Sequence, residues 1–538
     1  MPANFFQHLM PAVIAGAFFI TAGPADRAYA EIAITPFVTA VAEAAADDRD
    51  IAAFYRENGY SPIWTGESKD AIARREALLR AIEDADIHGL PRARYDLDRL
   101  GLDLRNITTE RELGRAEVGM SKLFLTYARD IQTGVLVPSS VDGGIVREVP
   151  YRDRTSLLRN FSKSAPTPFL RELPPQSPEY ARLMKEKIRM KALVAKGGWG
   201  EPVQANSLEP GDRGPAVVQL RNRLIAKGYL QRTATSSYDA KIQQAVAQFQ
   251  ADHGLVSDGV VGQDTMREIN ASAEKRLSQI IVAMERERWT NMPRGERHIW
   301  VNITDFKARI VDHGKVTFET RSVVGHRDED RRTPEFSDVM EHMIINPTWH
   351  VPRSIATQEY LPLLQRNPYA VGHLKLVDRR GRVISRDLVQ DFTQFNARNF
   401  PFDMKQPPSR SNALGLVKFM FPNRYNIYLH DTPHKNLFGR DVRAFSHGCV
   451  RLNDPFDFAY ALLAVQEDDP QGFFQSILST GQETQVDLEK KVPVHLVYRT
   501  AFTQPKGRTQ FRLDVYGRDA RIWKALEDAG VSLTALQG

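Results

Sequence analysis

With a single cysteine, Cys449, among its 538 residues, the chain has no internal disulfide to staple it, and each of its domains must be held by its own apolar core. A lone thiol is either packed away or reactive. Here it lies in Ser446-His447-Gly448-Cys449-Val450-Arg451, with a second histidine, His430, closing an apolar run upstream. These neighbours favour reactivity. A free thiol of pKa ~8.5 is only a few per cent thiolate near neutrality, so a cysteine nucleophile needs a base within hydrogen-bond reach and donors for an oxyanion. The alternation from Tyr425 to His430 predicts a strand with Ile427 and Leu429 on one face and Tyr428 and His430 on the other, the imidazole turned to a cleft. Gly448 permits a sharp backbone conformation that would present the N–H groups of Gly448 and Cys449 to developing negative charge.

His430, fifteen intervening residues, then Ser446-His447-Gly448-Cys449 and Val450-Arg451 together resemble the signature of the L,D-transpeptidases with a YkuD-type catalytic domain. Asn412-Ala413-Leu414-Gly415, Lys418-Phe419, Phe421-Pro422-Asn423 and Tyr428 to Pro433 are similar to the large, multidomain YcbB-like members of Gram-negative bacteria.

The resemblance implies that Cys449 attacks the carbonyl joining the third residue of a peptidoglycan stem to a terminal D-alanine. The resulting thioester then passes to the side-chain amine of a second stem, giving a 3→3 cross-link, with His430 as general base and acid. His447 is expected to support the loop and oxyanion, the alternative being direct base catalysis, and Gly448 to supply a backbone oxyanion donor. Arg451 either meets a substrate carboxylate in bidentate fashion or is a plain surface arginine. Tyr428, Ser446, Asn412 and Trp349 complete the expected substrate-binding set, although Ser446 also suits a bond to the loop backbone and Trp349 suits core packing. The Asp431 carboxylate, adjacent to His430 on an extended chain, faces the wrong way to orient the ring.

The expected architecture is multidomain α+β: a β-rich catalytic domain with a capping insert, a helical scaffold and a small three-helix peptidoglycan-binding module. Residues 9–22 form an apolar stretch of signal-peptide length, and Ala28-Tyr29-Ala30 offers a cleavage site, so 1–30 read as a signal peptide directing export to the periplasm. No Lys or Arg precedes the stretch, which leaves an uncleaved anchor as the alternative; no later segment reads as a membrane span. Helical apolar sets such as Leu123, Phe124, Tyr127 and Ala128 place the scaffold at 31–205, and Pro166 to Pro178 reads as a Pro-rich loop. Residues 206–272 resemble the peptidoglycan-binding type 1 module: Val217, Leu220, Leu224 and Ile225 share one helix face, and Ile242, Ala245, Val246 and Phe249 another. A helix over 273–296 returns to the scaffold. The strand-patterned catalytic domain spans 297–495 with its cap near 349–406, and 496–538 form a C-terminal segment.

A net charge of +6, spread rather than clustered, gives little support to nucleic-acid binding. No metal-ligand spacing or phosphate loop occurs, so no cofactor is expected. The expected partners are donor and acceptor stem peptides of peptidoglycan and, since family members are acylated by them, carbapenem inhibitors. Competing functions are L,D-carboxypeptidase hydrolysis or lipoprotein attachment from the same acyl-enzyme, and a non-catalytic wall-binding scaffold. A papain-like peptidase usually carries Cys before His, the reverse of the order here.

Overall fold

The structure is a computed structural model that describes residues 34–96, 107–389 and 391–533. The signal peptide expected at 1–30 lies outside the described residues.

Helices Pro36–Ala44, Arg49–Glu57, Lys69–Glu83 and Glu110–Thr133 gather around an aromatic centre in which Phe161 stacks on Phe124 at 4.5 Å and on Trp64 at 5.2 Å. The longest of them opens with a reciprocal capping box, Thr109 bonding the Glu112 amide and Glu112 returning to the Thr109 amide. The Pro-rich stretch is not simply a loop: Pro166–Glu172 is a helix with Pro166 in its first turn, where a missing N–H leaves no intrahelical bond unmade. Helix Ala273–Trp289 runs through the same core, and helix Arg518–Asp528 near the C-terminus adds Ile522 and Leu526 to it.

Helices Pro215–Ala226, Ala240–Asp252 and Gln263–Ile269 share a separate core containing Val217, Leu220, Leu224, Ile242, Val246 and Phe249. Ile225 is only partly buried and stands outside it.

Strands begin at β1 (Arg297–Asn302), β2 (Lys307–Asp312), β3 (Lys315–Gly325) and β4 (Phe336–Ile345). An insert follows with its own small sheet, β5 (Trp349–His350), β6 (Lys375–Val377), β7 (Val383–Ile384) and β8 (Asp403–Gln406), folded over Leu361, Leu364, Phe392, Phe400 and Met404. The main sheet resumes with β9 (Val417–Met420), β10 (Leu429–His430), β11 (Ala444–Ser446), β12 (Val450–Leu452) and β13 (Thr484–Val497). Its order is β11-β3-β12-β10-β9-β4-β13-β1-β2, and β2 also pairs with β3, so all but β11 close into a ring. Closure removes the exposed edges that an open sheet would present.

The strand expected from Tyr425 is only Leu429–His430. Asn426 has a φ of +53°, and Asn423 Oδ1 accepts the amides of Tyr425 and Ile427 at 3.0 and 3.2 Å, which makes the preceding residues a turn. Beneath β9, helix Pro455–Leu463 presses Phe458 against Phe419, ring centroids 4.8 Å apart. Truncating a buried Phe of this kind costs about 3–5 kcal/mol, so this contact holds the sheet that carries the site.

A buried ionic cluster joins the domains. Glu335 takes Arg286 at 2.5 Å and Arg518 at 3.2 Å, and Asp519 takes Arg286 at 2.9 Å, linking the return helix, the segment before β4 and the C-terminal helix.

Candidate active site

Parallel pairing of β10 with β12 sets Leu429 beside Val450 and His430 beside Arg451, and Val450 N–H donates to Tyr428 O at 3.1 Å. Cys449, one residue earlier, therefore lies next to Tyr428. Its sulfur is half-buried and keeps a solvent-facing side; it contacts Asn426 O at 3.6 Å and is hydrogen-bonded with Tyr428.

The nucleophile turn is fastened from within. Gly448 has a φ of +107°, a left-handed value that strains any other residue. Ser446 Oγ donates to Cys449 O at 2.5 Å and accepts from Gly448 N at 3.2 Å, while Thr333 Oγ1 donates to Gly448 O at 2.7 Å. Two expectations change as a result. Ser446 is buried and committed to the loop backbone, not to substrate, and the Gly448 N–H is already engaged by it. Among the described residues the Cys449 N–H has no partner, which leaves it as the amide free to receive an oxyanion.

His430 is oriented by a backbone atom. Its Nδ1 meets Asp431 O at 2.5 Å, so with Nδ1–H donating, Nε2 carries the lone pair. The Asp431 carboxylate turns away and accepts Leu416 N at 2.9 Å and Lys435 Nζ at 2.8 Å. The His430 and Tyr428 rings lie 5.6 Å apart on one face. Among the described residues no hydrogen bond joins Sγ to His430. Proton transfer would need the shorter approach that catalytic pairs commonly adopt with substrate bound.

Burial pushes the Cys449 thiol up to about 11, against the opposing pull of Tyr428 hydrogen bonds, Arg451 and Lys418. Burial, then Arg451 and Lys418, draws His430 down to about 3, against the carbonyls of Asp431 and Leu414. At neutral pH the thiol is protonated and the imidazole neutral, so the site rests as an uncharged pair, not as a thiolate–imidazolium ion pair.

Two cations flank the imidazole. Lys418 sits opposite His430 across β9 and β10, Arg451 opposite it across β12, and Arg451 Nε is buried without a hydrogen-bond partner. That pairing suits a carboxylate. His447 is exposed, and its Nε2 lies 2.6 Å from Glu359 Oε1, an atom that also takes Arg331 Nη2 at 3.1 Å. Glu359 belongs to the π-helical turn Ala356–Tyr360 of the insert, which ties the cap to the nucleophile loop.

Two expected substrate residues are structural instead. Asn412 is fully buried, its Nδ2 donating to the carbonyls of Pro347, Gln406 and Pro407 and its Oδ1 accepting Leu414 N. Trp349 packs edge-on to Tyr360 at 6.3 Å inside the cap core. Sequence reasoning missed Thr333, Glu359 and the Asp431 carbonyl. The first two lie more than 80 residues from the motif they serve, by separations of 115 and 88, and a carbonyl leaves no mark on residue identity.

A thiol on a glycine turn and a backbone-oriented imidazole on the adjoining strand of a closed β-sheet are the groups that nucleophilic acyl transfer requires. Residues 296–481 match the family "L,D-transpeptidase catalytic domain" (YkuD), residues 213–269 match "Putative peptidoglycan binding domain", and residues 49–186 match "Scaffold domain". The chain thus carries a YkuD-type L,D-transpeptidase catalytic domain together with a peptidoglycan-binding type 1 module and a helical scaffold.

Among curated proteins, a Haemophilus influenzae protein named "Putative L,D-transpeptidase" is 31% identical over 256 residues, 47% of this chain and 51% of that one. The N-acetylmuramoyl-L-alanine amidase CwlM of Mycobacterium tuberculosis is 35% identical over 78 residues, 13% of this chain and 19% of that one. The matches thus span about half or less of these relatives. A crystal structure of an L,D-transpeptidase from Xylanimonas cellulosilytica aligns with 55% of this chain and 100% of its own at 15% identity and a TM-score of 0.17, too slight a likeness to carry an argument.

Proposed function

We propose that the chain is a peptidoglycan L,D-transpeptidase that forms 3→3 cross-links through an acyl-enzyme on Cys449. The observation that carries this reading is the placement of two groups: a half-buried sulfur on the Gly448 turn next to Tyr428, and the His430 imidazole, held by Asp431 O, on the adjoining strand. The sulfur attacks the carbonyl before the terminal D-alanine of a tetrapeptide stem as its proton passes to His430 Nε2, and the Cys449 N–H receives the oxyanion. The imidazolium returns the proton to the departing D-alanine amine, leaving a thioester. A stem amine then attacks the thioester, His430 takes its proton, and the thiol is regenerated as the new amide forms.

In this scheme Arg451 and Lys418 receive a stem carboxylate, and Tyr428 lines the donor side. The polymer places the work outside the cytoplasm, in keeping with an exported, periplasmic protein, and a carbapenem would acylate Cys449 by the same attack. The domain limits expected from sequence, including the YcbB-like arrangement of scaffold, module and cap, are part of this proposal.

The test is incubation of the mature chain with disaccharide-tetrapeptide. D-alanine release with cross-linked dimers by mass spectrometry, both lost in Cys449→Ala, supports the reading. Hydrolysis without dimers would make the enzyme a carboxypeptidase, and no turnover with no carbapenem adduct would leave a wall-binding scaffold.

A further inference from the structure

Away from the catalytic cleft, a cavity of about 330 Å³ opens where the three-helix module, the scaffold helix Pro178–Ala195 and a short hairpin, Ala501–Phe502 paired with Gln510–Phe511, meet. Its walls set cations on aromatic faces. Lys227 Nζ lies 3.4 Å from the centre of the Trp199 ring, Arg508 Cζ 4.4 Å from Tyr229, and Arg276 Cζ 4.6 Å from Phe511. Cation–aromatic contacts alone are a common way to hold domains together. The charge balance here goes further. Arg276 is matched by Glu268 at 2.7 Å and Arg189 by Glu186 at 2.6 Å, whereas Lys227 and Arg508 form no ion pair among the described residues.

Arg508 donates to Gly228 O at 2.5 Å and is otherwise exposed at the rim. Burial, then Arg276 and Arg223, pulls the Lys227 ammonium down to about 6, a shift that a counter-charge beside it would oppose. An anion in the cavity would supply one, and the parts of the Trp199 and Tyr229 rings that Lys227 and Arg508 leave uncovered would accept an apolar edge of the same ligand. A volume near the low end of small-molecule sites fits about one sugar ring or a dipeptide.

We propose that this composite cavity binds a carboxylate-bearing fragment of peptidoglycan, with Lys227 and Arg508 on the carboxylate and Trp199 and Tyr229 along its apolar edge. The proposal rests on the cell-wall reading above and gives the module's ligand a chemical identity and a place. Because Trp199 and Arg508 come from outside the module, the site is complete only in the full chain.

The experiment is calorimetric titration of the full chain, carrying Cys449→Ala to prevent turnover, with stem tetrapeptide, with N-acetylmuramic acid, and with the methyl esters of both. Binding of at least one acid, absent for its ester and weakened about tenfold in Lys227→Met and in Arg508→Gln, is expected from the loss of one charge-assisted contact. Which acid binds separates stem carboxylates from the lactyl carboxylate. Equal binding of acid and ester, no binding of either acid, or undiminished binding in both variants would overturn the proposal. If Lys227→Met fails to fold, the exposed Arg508→Gln gives the answer alone. D-alanine release by the unaltered chain is a separate readout, so failure of the catalytic reading and failure of this one are told apart.

Discussion

His447 Nε2 and Glu359 Oε1 stand 2.6 Å apart, so the residue two before the nucleophile is fastened to the cap and not to the sulfur. Glu359→Ala removes this tie and the Arg331 contact together. A partly exposed charged contact of this kind contributes about 1 kcal/mol. Hydrogen exchange in the cap turn Ala356–Tyr360 should quicken about fivefold, with a parallel rise in KM. Exchange equal to that of the parent would mean the cap is held elsewhere.

The neutral resting pair is visible to alkylation. With the thiol raised to about 11, iodoacetamide should react slowly at pH 7 and about tenfold faster for each pH unit up to that value. Lys418→Met removes a charge that favours the thiolate and should slow the reaction at every pH. A plateau near pH 8 would contradict the burial argument.

Gly415 has a φ of +63°, and a Cβ there would lie 2.3 Å from the Asp431 carboxyl. Gly415→Ala must push that carboxylate off Leu416 N and Lys435, with the His430 ring bonded to the same residue's carbonyl. We expect a loss of roughly 2 kcal/mol and a larger fractional loss of acyl transfer than of stability. Unchanged melting and turnover would show the contact to be slack.

Glu335 lies buried between Arg286 and Arg518. Glu335→Ala leaves Arg286 with Asp519 alone and takes from Arg518 its nearest carboxylate, away from water, and should destabilise the fold by about 3–5 kcal/mol, read as a lowered melting temperature. A Tm within a degree or two of the parent would falsify the view that this cluster needs its carboxylate.

His88 and His495 are drawn down to about 4 and His430 to about 3, burial being the largest cause in each. Their unfolded forms titrate near pH 6.5, so the unfolded chain binds protons first as pH falls. The stability these groups contribute is complete above pH 6.5 and is lost as pH drops through about 4 and then about 3. Melting temperature should decline steadily from pH 6.5 to 4; a flat profile would rule this out.

The family of the catalytic domain was legible because glycine, thiol and histidines are confined to a short stretch whose chemistry depends on residue type. Core helices such as Glu110–Thr133 were legible for a similar reason, since burial imposes a 3.6-residue period. Asn412 and Trp349 misled because a polar or aromatic residue near a motif reads alike whether it faces ligand or core. The break at Asn426 was hidden because alternation persists through Tyr425–His430 although side-chain caps bend the backbone. Closure of the sheet through β2 and β3, and the cavity beside Lys227, arise from distant segments and have no local trace.

The hydrogen-bonded pairing of β10 with β12 acts as a ruler for the chemistry. One inter-strand step of about 4.8 Å separates the strand that carries His430 from the one that follows Cys449, and the length of chain looping out between them does not enter. The exposed bend at Gly439 and Arg440 is therefore a place where insertions can lengthen the connection while the spacing of the two strands stays as it is.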